Sequence, residues 1–165
     1  NEDLEFAPKC IYSNQSHIYL AFVIKRGRIG MYTKELLQDT RDMLYPFTAL
    51  KLKESKKNTL KDFISVAGQF GVTHMLVYSQ TDKACYLRLI KNPKGPTVTF
   101  KVEDYSLAKD VIKFQQEHKR YSKIFSKELQ NAPLLIMNGF ASRPDNDAFK
   151  IVSLMLQSLF PPIKV

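Results

Sequence analysis

The sequence predicts an α/β fold, a layered mixed β-sheet with flanking helices. Apolar strand-like runs alternate with segments of helical periodicity, and turn residues separate them, which is typical of layered α/β domains. Hydrophobic residues make up 44% of the 165 residues, which is enough to bury a core in one compact domain. We therefore expect a single domain over residues 1–165.

The first predicted strand is the continuous apolar run from Ile18 to Ile24, whose β-branched and aromatic residues suit a strand covered on both faces. A helix is predicted next. Its apolar stripe follows Thr33 at helical spacing and comprises Leu36, Leu37, Thr40, Met43 and Leu44. The helix must stop by Tyr45, because Pro46 disfavours helical backbone at the residue before it.

A short strand is predicted near Ala49 to Leu52. Thr59 and Asp62 then fit a capping box at the start of a second helix. The buried face of that helix is predicted to consist of apolar residues at helical spacing, namely Leu60, Phe63, Ile64, Ala67 and Phe70. Gly71 is expected to end it.

Val72 to Tyr78 is predicted to be another core strand. A hairpin follows, in which strands Tyr86 to Ile90 and Thr97 to Val102 are joined by a turn at residues 92–95, where proline and glycine supply the turn chemistry. Alternation along the second strand puts Val98, Phe100 and Val102 on one face and Thr97, Thr99 and Lys101 on the other. One side of this hairpin is therefore expected to be polar and exposed.

The last third of the chain is predicted to contain two helices and a strand. Ser106 is a candidate cap for a third helix that carries Leu107, Val111 and Phe114, and the polar residues 115–130 either extend that helix or form a loop. Leu134 to Met137 is a predicted strand, and Asp147 to Phe160 is the last helix, ending at the two prolines that follow.

The net charge points to a polyanionic partner. The chain has 25 Lys and Arg against 16 Asp and Glu, a formal charge of +9. Nucleic acid is the first candidate and an anionic membrane surface the second. No apolar run approaches the roughly 18 residues that a spanning helix needs, and the acidic opening NEDLE lacks the features of a signal peptide. A soluble chain is expected.

Catalytic and metal-binding residues are not indicated. Cys10 and Cys85 lie far apart without cysteine neighbours, so we expect reduced thiols in an intracellular compartment. No two of the three histidines, His17, His74 and His118, have metal-ligand spacing, and His74 is expected to be packed and hydrogen-bonded. Since nucleophile and phosphate-loop motifs are missing as well, we expect no catalysis, no cofactor and no small-molecule substrate.

The first candidate binding site is a lysine cluster that leads into the second helix: Lys51, Lys53, Lys56, Lys57 and Lys61. A helix N-terminus presents unpaired N–H groups and a positive dipole end, so lysines beside it predict a phosphate site. An ordinary solvated loop is the alternative, since Glu54 and Asp62 partly neutralise the cluster.

Two further basic clusters are candidates. The hairpin carries Arg88, Lys91, Lys94 and Lys101, for which a charged strand edge that prevents sheet pairing is the alternative reading. The turn after the first strand carries Lys25, Arg26 and Arg28. Beside them, Gly27 and Gly30 would allow backbone amides to approach a phosphate. A fourth group, Lys119, Arg120 and Lys123, suits RNA or protein contact equally.

Aromatic residues offer a second type of nucleic-acid contact. Tyr78, Tyr86 and Phe100 lie in predicted strands and are candidate stacking platforms for unpaired bases. In strands of this kind such residues more often pack in the core, so we do not include them in the predicted site.

Five motifs in one order carry a resemblance to a known family. They are TALKLKESKKNTLKDF (Thr48 to Phe63), GVTH (Gly71 to His74), GPTVTFKVEDYSL (Gly95 to Leu107), APLLIMNGF (Ala132 to Phe140) and QSLFPPI (Gln157 to Ile163). The chain resembles a Brix domain of the Peter Pan type. The resemblance implies the first half of a Brix domain over roughly residues 16–163, similar in fold to the anticodon-binding domain of class II synthetases, after a non-matching extension at 1–15.

The resemblance also implies a function. Members of this type are nucleolar assembly factors, so it implies a non-enzymatic protein that binds precursor rRNA of the large ribosomal subunit through basic surface loops. The implied partners are other pre-ribosomal factors, including a ribosomal-RNA-processing protein. The alternative is a protein-interaction module whose basic surface binds acidic partner proteins, and a third possibility is a synthetase-type anticodon-binding domain.

Overall fold

The computed structural model describes residues 20–50, 52, 54, 58–117, 133–140 and 147–160. The elements in these ranges are, in chain order, β1 (Leu20–Arg26), α1 (Met31–Met43), α2 (Leu60–Gln69), β2 (Val72–Gln80), β3 (Cys85–Lys91), β4 (Thr97–Val102), α3 (Ala108–Glu117) and α4 (Asp147–Leu159). The strands form one sheet in the order β1-β2-β3-β4, with β1 parallel to β2 and the other pairs antiparallel. The predicted α/β class with a mixed sheet is confirmed.

Each face of the sheet has its own hydrophobic core. One core joins strand residues such as Val23, Leu76 and Leu89 to Leu37 of α1 and Met155 of α4, so we call this side the α1/α4 face. The other core joins strand residues that include Phe22, Ile24, Met75, Val77 and Ile90 to Ala67 of α2, and we call this side the α2 face. Because both faces are covered at β1 and β2, those strands are continuous apolar runs.

The α2 face is covered only in part. Helix α2 has ten residues and is about 15 Å long, whereas the nine residues of β2 span about 30 Å. On β4, Thr97, Thr99 and Lys101 are exposed, and the residues between them are half-buried. The alternation that the sequence predicts for the hairpin is therefore confirmed, and the α2 face is its polar side.

The outer edge of β1 is closed by groups from the loop that follows α1. The Ala21 N–H donates to the Phe47 carbonyl (2.8 Å), and the Thr48 hydroxyl donates to the Ala21 carbonyl (2.8 Å). In this loop only Thr48 forms a bridge to β1, so the strand predicted near Ala49 to Leu52 is wrong for the described residues of that segment. One backbone hydrogen bond and one from a side chain hold this edge instead of a ladder.

An ion pair continues this edge. The Arg41 Nε and Nη2 atoms donate to the Val23 carbonyl at 3.1 and 2.7 Å, and Nη2 also donates to Glu54 at 2.8 Å. The second carboxylate oxygen of Glu54 accepts the Lys25 N–H at 3.0 Å. The side chains of Arg41 and Glu54 are only 9% and 12% exposed, so this is a buried ion pair. It protects β1 from pairing with another strand.

Helix starts differ from the prediction because distant side chains supply the caps. Helix α1 begins at Met31, so Thr33 lies inside it, and the Gln80 side chain accepts both the Gly30 N–H (2.7 Å) and the Thr33 hydroxyl (2.9 Å). Helix α3 begins at Ala108, whose N–H donates to a carboxylate of α1 at 2.9 Å. The predicted cap by Ser106 is wrong for that reason.

Two apolar predictions are also wrong. Residues 133–140 contain no strand, and Leu134 and Ile136 are 67% and 73% exposed. Phe70, predicted on the buried face of the second helix, is 45% exposed. Phe70 follows the last helical residue, Gln69, so it leaves the stripe that packs on the sheet. The capping box at α2, the end of that helix at a left-handed glycine (φ +66) and the last helix are confirmed.

His74 links the sheet to α4. Its ring is 1% exposed and lies between the Thr73 hydroxyl, 2.9 Å from Nδ1, and the Ser158 hydroxyl, 3.0 Å from Nε2. Burial, and to a smaller extent the nearby Lys91 ammonium, lower the pKa of His74 to about 4. The prediction of a packed, hydrogen-bonded histidine is confirmed. Cys10, His17, His118 and residues 119–130 lie outside the described residues.

The depressed pKa of His74 predicts a loss of stability in mild acid. The unfolded chain takes up a proton near pH 6.5, whereas the folded chain keeps the ring neutral until about pH 4. Full stability is therefore present above the unfolded pKa and is lost as the pH falls towards the folded value. When the pH falls from 7 to 5, we expect His74 to lower the free energy of unfolding by about 2 kcal/mol.

Urea unfolding of the protein and of His74→Gln at both pH values measures this cost. The difference between the two free energies of unfolding should shrink by about 2 kcal/mol at the lower pH, because glutamine does not titrate. Parallel pH dependences of the two proteins would contradict the assignment.

Candidate nucleic-acid interface

The register of the sheet gathers basic residues from three strands onto the α2 face. Arg26 on β1 pairs with Ser79 on β2, which pairs with Tyr86 on β3, which in turn pairs with Lys101 on β4. These four side chains form one row across the sheet. In the next row, Arg88 lies between Val77 and Thr99. We call the polar surface formed by Arg26, Tyr86, Arg88, Thr97, Thr99 and Lys101 the basic sheet face.

The basic sheet face is accessible. Arg26, Thr99 and Lys101 are exposed, whereas Tyr86 and Arg88 are half-buried by their cross-strand neighbours. The core under α2 ends at the preceding rows, with Val77 and Ile90 among its buried members. Among the described residues, the row of Tyr86 therefore contributes no member to that core.

The positive charge of this surface is not neutralised by the acids that the structure describes. No carboxylate in the described ranges forms an ion pair with Arg26 or Arg88. Lys101 contacts Glu103 at 4.0 Å, and both side chains are mostly exposed, at 61% and 78%. An exposed pair of this kind contributes little and is easily exchanged for another anion.

The lysine cluster is only partly described. Lys61 lies exposed in the first turn of α2, on the same side of the sheet as the basic sheet face, and Lys51, Lys53, Lys56 and Lys57 fall outside the described residues. At the helix start, a carboxylate oxygen of Asp62 accepts hydrogen bonds from Thr59 N (2.7 Å) and its hydroxyl (2.9 Å). These bonds lower the pKa of Asp62. The Asp62 carboxylate therefore already occupies the N-terminus of α2, where the sequence predicts a phosphate.

The structure separates other predicted residues from the basic sheet face. Lys91 lies on the α1/α4 face, where its Nζ donates to the Ser158 hydroxyl at 3.4 Å. Lys25 alternates with Arg26 and lines a cleft beside α1. Lys94 is exposed in the hairpin turn, and Arg28 is exposed in the turn after β1. The Gly30 amide, expected to be open to phosphate, is taken by Gln80.

The three aromatic candidates lie on different faces of the sheet. Tyr78 is 4% exposed, and its hydroxyl shares a hydrogen bond with Thr40 at 2.9 Å. Phe100 packs against the core of the α1/α4 face. Tyr86 alone of the three lies on the α2 face, so its surroundings differ from those of the other two. Counting cross-strand partners back from the turn at residues 92–95 would have placed it opposite Lys101.

Other kinds of site find little support in the described part of the chain. Among those residues no three His, Cys, Asp or Glu side chains lie together as metal ligands would. None of the described helices has the length and apolar character needed to cross a membrane. Burial raises the pKa of the Cys85 thiol, which makes it a poor nucleophile.

Comparison with known proteins gives a consistent result. The family model of the Brix domain matches residues 27–165. The chain is 40% identical over 154 residues to the mouse protein Suppressor of SWI4 1 homolog, covering 93% of this chain and 31% of that protein. It is 39% identical over 145 residues to the Arabidopsis thaliana Peter Pan-like protein, covering 88% of this chain and 40% of that protein.

A yeast relative is equally similar. Ribosome biogenesis protein SSF2 of Saccharomyces cerevisiae is 41% identical over 155 residues, covering 87% of this chain and 34% of that protein. The chain thus spans about a third of the length of these relatives, between 31% and 40%. Because the family match extends over most of the chain, from the turn after β1 through α4, this protein belongs to the Brix-domain family.

Proposed function

We propose that this chain is the RNA-binding part of a ribosome assembly factor that holds precursor rRNA of the large subunit. The observation that carries the proposal is the basic sheet face, where Arg26, Arg88 and Lys101 come together from three strands and no described carboxylate forms a buried ion pair with them. The name of the yeast relative, Ribosome biogenesis protein SSF2, supports the ribosomal context.

The proposed mechanism is binding without catalysis. Guanidinium and ammonium groups neutralise backbone phosphates and release condensed counterions, which gives affinity and orientation. The sheet keeps these groups at fixed spacings, because each is anchored on a paired strand. Such a surface suits a factor that holds an RNA segment while other proteins join the particle. The proposed location is the nucleolus, and the proposed partners are pre-ribosomal factors, including a ribosomal-RNA-processing protein.

Crosslinking in cells tests this function. The complete protein is crosslinked to RNA by ultraviolet light, and the bound RNA is sequenced. We expect reads concentrated on precursor rRNA of the large subunit. Reads at background level, with acidic proteins recovered instead, would contradict RNA binding and favour the protein-interaction alternative.

The lysine cluster has its own test. Replacing Lys51, Lys53, Lys56 and Lys57 with alanine should weaken RNA binding and reduce the slope of log affinity against log salt by at most about one unit per lysine. Fluorescence anisotropy over a salt series measures that slope. The comparison is with alanine variants of Lys34, Lys113 and Lys150, three exposed lysines on α1, α3 and α4. If RNA affinity falls equally per lysine in both sets, the lysine cluster is not part of the interface.

A further inference from the structure

We infer that the basic sheet face, beyond binding phosphates as proposed above, selects unpaired RNA by stacking a base on Tyr86. This inference rests on the proposed function and narrows its ligand to single-stranded segments. Two features of the described residues carry it: the surroundings of the tyrosine ring and the spacing of the cations.

Tyr86 is half-buried, and its cross-strand neighbours are polar. Its partner on β2 is the small Ser79, and its partner on β4 is the exposed Lys101. The apolar residues under α2 do not extend to this row, whose outer strand residue is Arg26. The ring is thus supported at its base by the sheet and has no apolar neighbour in its own row. This is the arrangement of a platform rather than of a core aromatic residue.

The cations surround the ring at distances that suit a nucleotide. Neighbouring strands are about 4.8 Å apart, so Lys101 emerges beside Tyr86 across the strand pair. Arg88 follows Tyr86 by two residues on β3 and emerges on the same face about 7 Å away. A base stacked on the ring therefore places its phosphates within reach of these long side chains. Thr97 and Thr99 add exposed hydroxyls as hydrogen-bond partners.

The geometry excludes base stacking by a duplex. In double-stranded RNA each base face is covered by the neighbouring bases, so an aromatic ring on the protein has no free base face to stack on. Stacking on an aromatic ring is open to any unpaired base, because every base has a π-face. The surface should therefore bind both forms through charge and prefer the single strand through Tyr86, with little sequence preference.

The test compares two RNAs of the same length and sequence, one single-stranded and one in a duplex, by fluorescence anisotropy with the full chain. We expect the single strand to bind more tightly. Tyr86→Leu should weaken binding of the single strand roughly tenfold and leave duplex binding unchanged, whereas Tyr86→Phe, which keeps the ring, should retain the preference. The inference would be overturned if the two RNAs bound with equal affinity, or if Tyr86→Leu weakened binding of the single strand and of the duplex equally.

A probe without bases makes the test independent of any variant. The unmodified protein should bind a single strand with several abasic positions roughly tenfold more weakly than the intact strand, since the phosphates are kept and the stacking partners removed. Equal binding of both strands would overturn the inference even if the tyrosine variant fails to fold. Combined replacement of Arg26, Arg88 and Lys101 separates the two proposals. If that change leaves RNA binding intact, the proposed function fails, whereas if it weakens binding without any stacking effect, only this inference fails.

Discussion

Replacing the three cations of the basic sheet face with glutamine is expected to weaken single-stranded RNA binding by roughly 10- to 100-fold at about 0.15 M salt. The variant combines Arg26→Gln, Arg88→Gln and Lys101→Gln. Each lost phosphate contact removes counterion release, so the slope of log affinity against log salt should also fall by about two. Fluorescence anisotropy at several salt concentrations measures both quantities.

The matched control removes the same charge from the other side of the molecule. It combines Lys34→Gln, Lys113→Gln and Lys150→Gln, three exposed residues on α1, α3 and α4. Net charge falls by three in both variants, so non-specific attraction changes equally. We expect the control variant to bind single-stranded RNA less than threefold more weakly than the unmodified protein. A control that weakens binding as much as the sheet variant would show that overall charge, rather than this surface, carries the affinity.

Removing one partner of the buried ion pair at the β1 edge is expected to be the most destabilising single change. Glu54→Ala leaves the Arg41 guanidinium only 9% exposed and without its carboxylate, and also frees the Lys25 N–H. Removing one residue of a buried ion pair typically lowers the free energy of unfolding by about 3 kcal/mol or more, because the remaining charge stays desolvated. Urea unfolding at neutral pH measures the change in the free energy of unfolding.

Two further variants show whether burial is the cause. Glu103→Ala breaks an exposed pair whose atoms are 4.0 Å apart, so we expect it to change stability by less than about 0.5 kcal/mol. Replacing Arg41 and Glu54 together with methionine and leucine should cost less than the two single changes added, since neither charge is then left alone. If Glu54→Ala is as mild as Glu103→Ala, the pair does not hold the edge.

Local patterns in the sequence were sufficient for the elements whose cause is local. The capping box of Thr59 and Asp62, the glycine that ends α2 and the alternation along β4 each depend on residues within a few positions of one another. The continuous hydrophobic runs of β1 and β2 also indicate, from local sequence alone, that these strands are buried on both faces. These features were predicted with nearly the right boundaries.

Long-range contacts explain what the sequence could not predict. Gln80 and Asp39 cap helices that lie 50 and 69 residues away along the chain, so neither helix start is marked locally. The same is true of the candidate site. Arg26 joins Arg88 only through the parallel pairing of β1 with β2, which no pattern near either residue shows. Lys91 is three residues from Arg88, yet alternation puts it on the opposite face.

Mapping RNA crosslinks onto the protein tests the central claim most directly. Single-stranded RNA is crosslinked to the full chain by ultraviolet light, and the modified peptides are identified by mass spectrometry. We predict crosslinks on β3 at Tyr86 and on the neighbouring strand β4, and none on α4, which covers the opposite side of the sheet. Crosslinks confined to α1, α3 or α4 would contradict the account.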